Sequence, residues 1–170
     1  MTKTNGKTRK GLLALERDLN SSFHERGEEV RGILWGMLTP GGANVLFLGP
    51  PGSGKSLLIR HASKAINGRY FETLLHPAST PEQVFGGYNP SRMMDNGEFV
   101  HNTHGMLPAS EIGFIDEPFK CNAATLNSML QLMNERTFSN GPNLEDTDIL
   151  YVAGGANELP EEEDLAALYD

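Results

Sequence analysis

Apolar residues recur along this chain at two spacings, and the alternation between them marks out its elements. Leu12, Leu13, Leu15 and Leu19 suggest a first helix ending near Asn20-Ser21-Ser22. Over residues 25–38, Val30, Ile33, Leu34, Met37 and Leu38 share one helical face, which predicts a second helix with Trp35 packing it against the core. Thr39-Pro40-Gly41-Gly42 breaks that helix. Short apolar runs then read as buried strands: Asn44-Val45-Leu46-Phe47-Leu48, Tyr70-Phe71-Glu72-Thr73-Leu74-Leu75, Ile112-Gly113-Phe114-Ile115, and Ile149-Leu150-Tyr151-Val152-Ala153. Residues 57–66 return to helical spacing after the first of these runs. Residues 122–136 predict a further helix, with Asn122 as N-cap and Leu126, Met129, Leu130 and Met133 as its core stripe.

The remaining stretches are less regular. Residues 137–148 read as a hairpin turning at Asn140-Gly141. Residues 76–111 are dense in Gly, Pro, Asn and Met, with a helical turn over 81–88 ended by glycines and a hairpin strand over 98–101. So long a stretch without periodicity predicts a functional loop region. Residues 158–170 read as a last helix: Pro160 suits its first position, acidic residues follow, and Leu165, Leu168 and Tyr169 fall on one face.

Composition narrows the class. At 170 residues, with 38% hydrophobic and 21% charged content, the chain is one globular domain able to bury a core. A formal net charge of −8 argues against a general grip on nucleic acid. Residues 1–10 are basic with no apolar core behind them, so they read as a flexible tail preceding a domain over 11–170. The single cysteine, Cys121, rules out an internal disulfide and suits a reducing, cytoplasmic compartment. No apolar run approaches the roughly twenty residues needed to span a bilayer. His101, His104 and Cys121 do not complete the ligand set a zinc site uses.

The chemistry concentrates at Gly49-Pro50-Pro51-Gly52-Ser53-Gly54-Lys55-Ser56, a Gly, four residues, then Gly-Lys-Ser, set between a strand and a helix. Glycines let successive backbone N–H groups turn toward phosphate oxygens, and the helix beginning near Lys55 adds its positive end. Pro51, Gly52, Ser53, Gly54, Lys55, Ser56 and Leu57 are therefore the candidate nucleotide-binding residues. Lys55 is expected to reach the β- and γ-phosphates, and the Ser56 hydroxyl to ligate Mg²⁺. Downstream, Ile112-Gly113-Phe114-Ile115-Asp116-Glu117 ends a strand in adjacent acids. Asp116 is the candidate to hold Mg²⁺ through water, and Glu117 to orient and deprotonate an attacking water. Asn157, a few residues past the last strand, is placed equally well to touch the γ-phosphate or to serve as a turn residue.

Taken in order, Gly49 to Ser56, Gly105-Met106-Leu107-Pro108-Ala109, Phe114-Ile115-Asp116-Glu117-Pro118-Phe119-Lys120, Leu126-Asn127 with Asn134-Glu135-Arg136, and Asn157-Glu158-Leu159-Pro160 resemble the MoxR branch of the AAA+ ATPases, closest to its RavA-type members. The resemblance covers residues 23–170. It implies an α/β fold, the P-loop NTPase αβα sandwich with a five-stranded parallel sheet, assembled into a ring that is usually hexameric. It implies ATP and Mg²⁺ as cofactors, remodelling of protein substrates, and a von Willebrand factor A domain protein as partner. It assigns Lys55 and Ser56 to Walker A, Asp116 and Glu117 to Walker B, and Asn157 to sensor 1. The loop region before Glu111 and the hairpin after Arg136 become candidates to face the pore or the substrate.

The family pattern continues past a Leu-Tyr-Asp-like segment into an arginine finger and a small helical lid, neither of which lies within these 170 residues. The sequence thus leaves open a piece of a longer protein or a short version that binds ATP and hydrolyses it poorly, with Arg92 or Arg136 as substitutes for the finger. Alternatives to a remodelling ATPase are a nucleotide-binding scaffold with little hydrolysis and a nucleic-acid remodeller.

Overall fold

The four apolar runs come together as one parallel sheet in the computed structural model, which describes residues 2–158. In chain order the elements are α1 (Thr2–Ser22), α2 (Gly27–Leu38), β1 (Val45–Leu48), α3 (Lys55–Ala65), β2 (Tyr70–Leu74), α4 (Glu82–Phe85), α5 (Pro90–Asn96), β3 (Ile112–Asp116), α6 (Ala123–Glu135), β4 (Thr137–Asn140), β5 (Asn143–Asp146) and β6 (Tyr151–Ala156). The sheet runs β1-β6-β3-β2, every neighbouring pair parallel. Parallel strands need crossover connections, and those helices cover both faces of the sheet.

Alternation along the strands sorts the core into two layers. Ile112, Phe114, Tyr151 and Ala153 pack with Leu15, Leu19, Val30, Ile33, Leu58 and Ile59 on the side of α1, α2 and α3. Ile115 and Val152 point the other way, into Phe85, Leu107, Leu126, Met129, Leu132 and Phe138. The result is an αβα sandwich. β6 lies between β1 and β3, and all six of its residues are buried.

Several expectations are corrected. The sheet has four strands among the described residues, where the resemblance implies five; the sequence carries four apolar runs, so the fifth strand had no run of its own. Helix α1 spans Thr2–Ser22 and so includes residues 2–10 along with the leucines after them. Trp35 is 72% exposed, not packed against the core. It sits off the buried face formed by Val30, Ile33, Leu34 and Gly36. A Cβ at Gly36 would run into the ring of Tyr151, so it is glycine that lets α2 approach the central strand.

Asn122 caps α6 as expected, its side chain accepting from the Thr125 N–H at 2.9 Å. Leu132 is fully buried on that helix, while Leu130 and Met133 lie partly exposed at the layer's edge. The β4–β5 hairpin turns at Gly141-Pro142, since Asn140 pairs with Asn143 and its side chain is buried. The expected strand over 98–101 reduces to one bridge between Tyr88 and His101. The helix expected over 158–170 lies outside the described residues except for Glu158.

Candidate functional site

The loop between β1 and α3 is fastened at both ends. Its root hangs on the central strand through the Gly49 N–H, which donates to the Ala156 carbonyl at 3.0 Å. Its far end enters α3 at Gly54, the N-cap residue. Gly52 and Gly54 hold φ of +74° and +83°, the left-handed region that a side chain would strain, and a Cβ at either would face open space. From below, the Arg26 guanidinium donates to the Ser53 carbonyl at 2.7 Å while pairing with Glu29 at 2.6 Å. That pairing helps hold the Glu29 carboxyl below the usual range against the opposing effect of its burial. Sequence reading missed Arg26, whose contact spans residues far apart in the chain.

Around this loop the parallel register gathers the chemistry-bearing residues. Lys55 Nζ donates to the Gly49 carbonyl at 2.6 Å and lies 3.5 Å from Asn157 Oδ1. Asp116 ends β3, in register with Leu74 on one side and Gly155 on the other. A Cβ at Gly155 would come within 2.8 Å of Asp116 Oδ1, so the glycine keeps that carboxylate's space clear. Burial is the main cause that pushes the Asp116 carboxyl above its ordinary value; Lys55 opposes the shift and the neighbouring Glu117 charge adds to it. Glu117 is 8% exposed and left-handed at φ +54°, and its N–H donates to the Gly155 carbonyl at 2.6 Å.

These residues wall one open cleft of about 540 Å³, lined by Pro51 through Ser56, Asp116, Glu117 and Asn157, together with Leu74, Leu75, Phe114 and Lys120. Of the sequence-derived candidates only Leu57 stands apart: its side chain is 55% exposed and outside the cleft wall. Lys120 is a wall residue that the sequence reading quoted without giving it a role. Its signal was its place three residues beyond Glu117.

The donor set decides what such a cleft can hold. Ser56 offers a hydroxyl and Asp116 a carboxylate whose charge burial disfavours, an oxygen pair suited to a hard divalent cation. Backbone N–H groups at the start of α3 offer an anion site. The other candidates are engaged elsewhere. The His101 ring lies tilted against Tyr88, their centroids 4.4 Å apart, and shares a hydrogen bond of 2.6 Å with the Gly86 carbonyl. Cys121 donates to the Pro118 carbonyl, and burial pushes its thiol up. Arg92 pairs with Glu98 at 2.7 Å, and Arg136 donates to the Gly41 carbonyl and Asn44 Oδ1 at 3.1 and 3.2 Å. Neither arginine lines the cleft.

Comparison with known proteins agrees with this architecture. The family model describing the MoxR domain in the MoxR-vWA-beta-propeller ternary systems matches residues 11–170. Two uncharacterised proteins of Methanocaldococcus jannaschii are each 42% identical over 159 residues, 94% of this chain and 42% and 41% of their own lengths. A structural protein of Acidianus two-tailed virus is 26% identical over 157 residues, 89% of this chain and 25% of its own. The chain thus spans less than half the length of these relatives. Among solved structures, a protein of Cytophaga hutchinsonii described as a candidate ATPase superposes with a TM-score of 0.66 at 18% identity, over 95% of this chain and 49% of that one. Yeast Hsp104 in complex with ADP gives 0.64 at 20% identity, over 99% of this chain and 27% of that one. These two likenesses concern the fold alone. On the family match and the shared αβα architecture, the chain belongs to the MoxR family, on the AAA+ ATPase fold.

Proposed function

We propose that the protein binds ATP with Mg²⁺ in the cleft above β1, β3 and β6 and hydrolyses it to remodel other proteins. One observation carries this reading: Lys55, Ser56, Asp116, Glu117 and Asn157, from separate parts of the sequence, line a single cleft. Residues 51–57 cradle the phosphates, with Lys55 on the β- and γ-oxygens. Ser56 and Asp116 hold the cation, which screens the phosphate charge when bound. Glu117 orients the attacking water and takes its proton, and Asn157 fixes that water and the terminal phosphate. Glu117 follows directly on β3 with a left-handed backbone, which supports its reading as a specially held residue.

Assembly into a hexameric ring, a cytoplasmic setting and a von Willebrand factor A domain partner complete the proposal, the last supported by the family description. No helix among the described residues is long and apolar enough to cross a membrane. Lys55→Ala is expected to abolish ATP binding, and Glu117→Gln to bind ATP and keep it unhydrolysed. Intact binding in Lys55→Ala would overturn the site.

A second reading is a nucleotide-binding scaffold with little turnover. Turnover per subunit measured across a concentration series separates the two. A ring that completes its site from a neighbour gains specific activity as it assembles, whereas tight binding with flat, near-zero turnover selects the scaffold.

A further inference from the structure

The cleft wall holds an ion pair that the proposed reaction leaves unused. Lys120 closes the 3-10 turn Pro118–Lys120 directly after β3, and its Nζ lies 3.4 Å from Oε2 of Glu117. The Lys120 N–H donates to the Glu117 carbonyl at 3.0 Å, so backbone and side chain fold back on the same residue. The lysine side chain is 49% exposed and the glutamate side chain 11%, which places the carboxylate inside the wall and the ammonium at its rim. Glu117 holds a left-handed φ of +54°, a conformation that persists only where the surroundings fix it. Lys55, the other lysine of the cleft, contacts the Gly49 carbonyl and Asn157 rather than Glu117, and its charge is assigned above to the phosphates.

A triphosphate entering this cleft meets two adjacent carboxylates. A divalent cation on Ser56 and Asp116 would answer the phosphates and one acid. Glu117 must stay off the metal if it is to accept a proton, and its charge then repels the terminal phosphate unless another cation offsets it. A lysine suits that task, being a compact point charge on a flexible stem. Its contact is with Oε2, one of the two carboxylate oxygens.

We infer that Lys120 is the positioning residue of Glu117: its ammonium orients the carboxylate and offsets its charge, so that ATP can bind beside it. The inference rests on the ATP site proposed above, and its test separates the two. Binding of the non-hydrolysable β,γ-imido analogue of ATP, with Mg²⁺, is measured on the unaltered protein, Lys120→Ala, Glu117→Gln and the double variant. Lys120→Ala is expected to weaken binding about tenfold where Glu117 is charged, and hardly at all in the Glu117→Gln background. Lys120→Arg should keep most of the affinity. In turnover, Lys120→Ala should lower kcat about tenfold, by loosening a base whose correct placement is worth roughly 10²–10⁴.

An equal loss in both backgrounds would mean that Lys120 touches phosphate directly, and would overturn the inference. So would unchanged binding in both. Thermal unfolding checks that each variant is folded, which the exposure of Lys120 favours. If the unaltered protein fails to bind the analogue, the ATP site itself is overturned and this inference falls with it.

Discussion

At Asp116 the protein keeps a carboxylate where burial disfavours its charge. The folded state binds that proton more tightly than the unfolded chain does. The carboxylate therefore costs nothing below the ordinary carboxylate range and lowers stability as pH rises through the raised value. Such a cost is common where a protein keeps a functional carboxylate. Asp116→Asn should accordingly raise the melting temperature of the ligand-free protein at neutral pH and remove the further rise that Mg²⁺ with nucleotide gives. A melting temperature that falls would show that the carboxylate has compensating partners within the chain. What sequence could reach at this scale were side chains set by local order. The loop of residues 49–56 and the Asp116-Glu117 pair are contiguous, so spacing alone predicts where they point. Lys120 and Arg26 act through space, on Glu117 and on the Ser53 carbonyl, and their roles emerge only with the fold.

Between elements, the long segment before β3 and the β4–β5 hairpin are joined. The His101 N–H donates to Asn140 Oδ1 at 2.6 Å, and Asn140 Nδ2 reaches Glu145 at 3.2 Å. Phe138 stacks on Phe85 at 5.2 Å and meets the His101 ring at 5.7 Å. Two stretches that the sequence offers as separate loops thus form one body resting on the layer that holds α6. Asn140→Ala would leave the His101 N–H without its partner and should cost about 1–3 kcal/mol. Hydrogen exchange should speed up at residues 99–101 as well as in the hairpin; faster exchange in the hairpin alone would show the two to be independent. Element type was legible wherever periodicity was strong, as in α6 and β3. Helix phase was not always: Trp35 was assigned to the core on hydrophobicity, although its neighbours define a face that excludes it. The pairing of residues 98–101 was overstated in length: a single antiparallel bridge, in which the Asn89 N–H donates to the Val100 carbonyl and the Asn102 N–H to the Gly87 carbonyl, holds that segment with the help of Asn140.

Across the whole molecule, α1 is part of the fold although it lies outside the sheet. Leu15 and Leu19 enter the same layer as α2 and α3, and Asp18 meets His61 of α3 at 2.8 Å. Leu19→Ala should therefore cost about 2–5 kcal/mol, and Leu13→Ala, at an exposed position, well under about 1 kcal/mol in the same denaturant titration. Equal small losses would mean that α1 is dispensable. The parallel αβα sandwich was implied by the family blocks rather than by any periodicity, the order of its strands emerged only with the fold, and the strand count taken from the same source exceeded what residues 2–158 supply.

The exposed tryptophan has an optical consequence. Trp35 is the chain's only indole, and its ring already stands in water on the outer side of α2. Its emission therefore changes little when the protein unfolds, so circular dichroism is the better guide to folding. The same indole reports on anything that covers α2. Fluorescence here reads the company the protein keeps more readily than its own integrity.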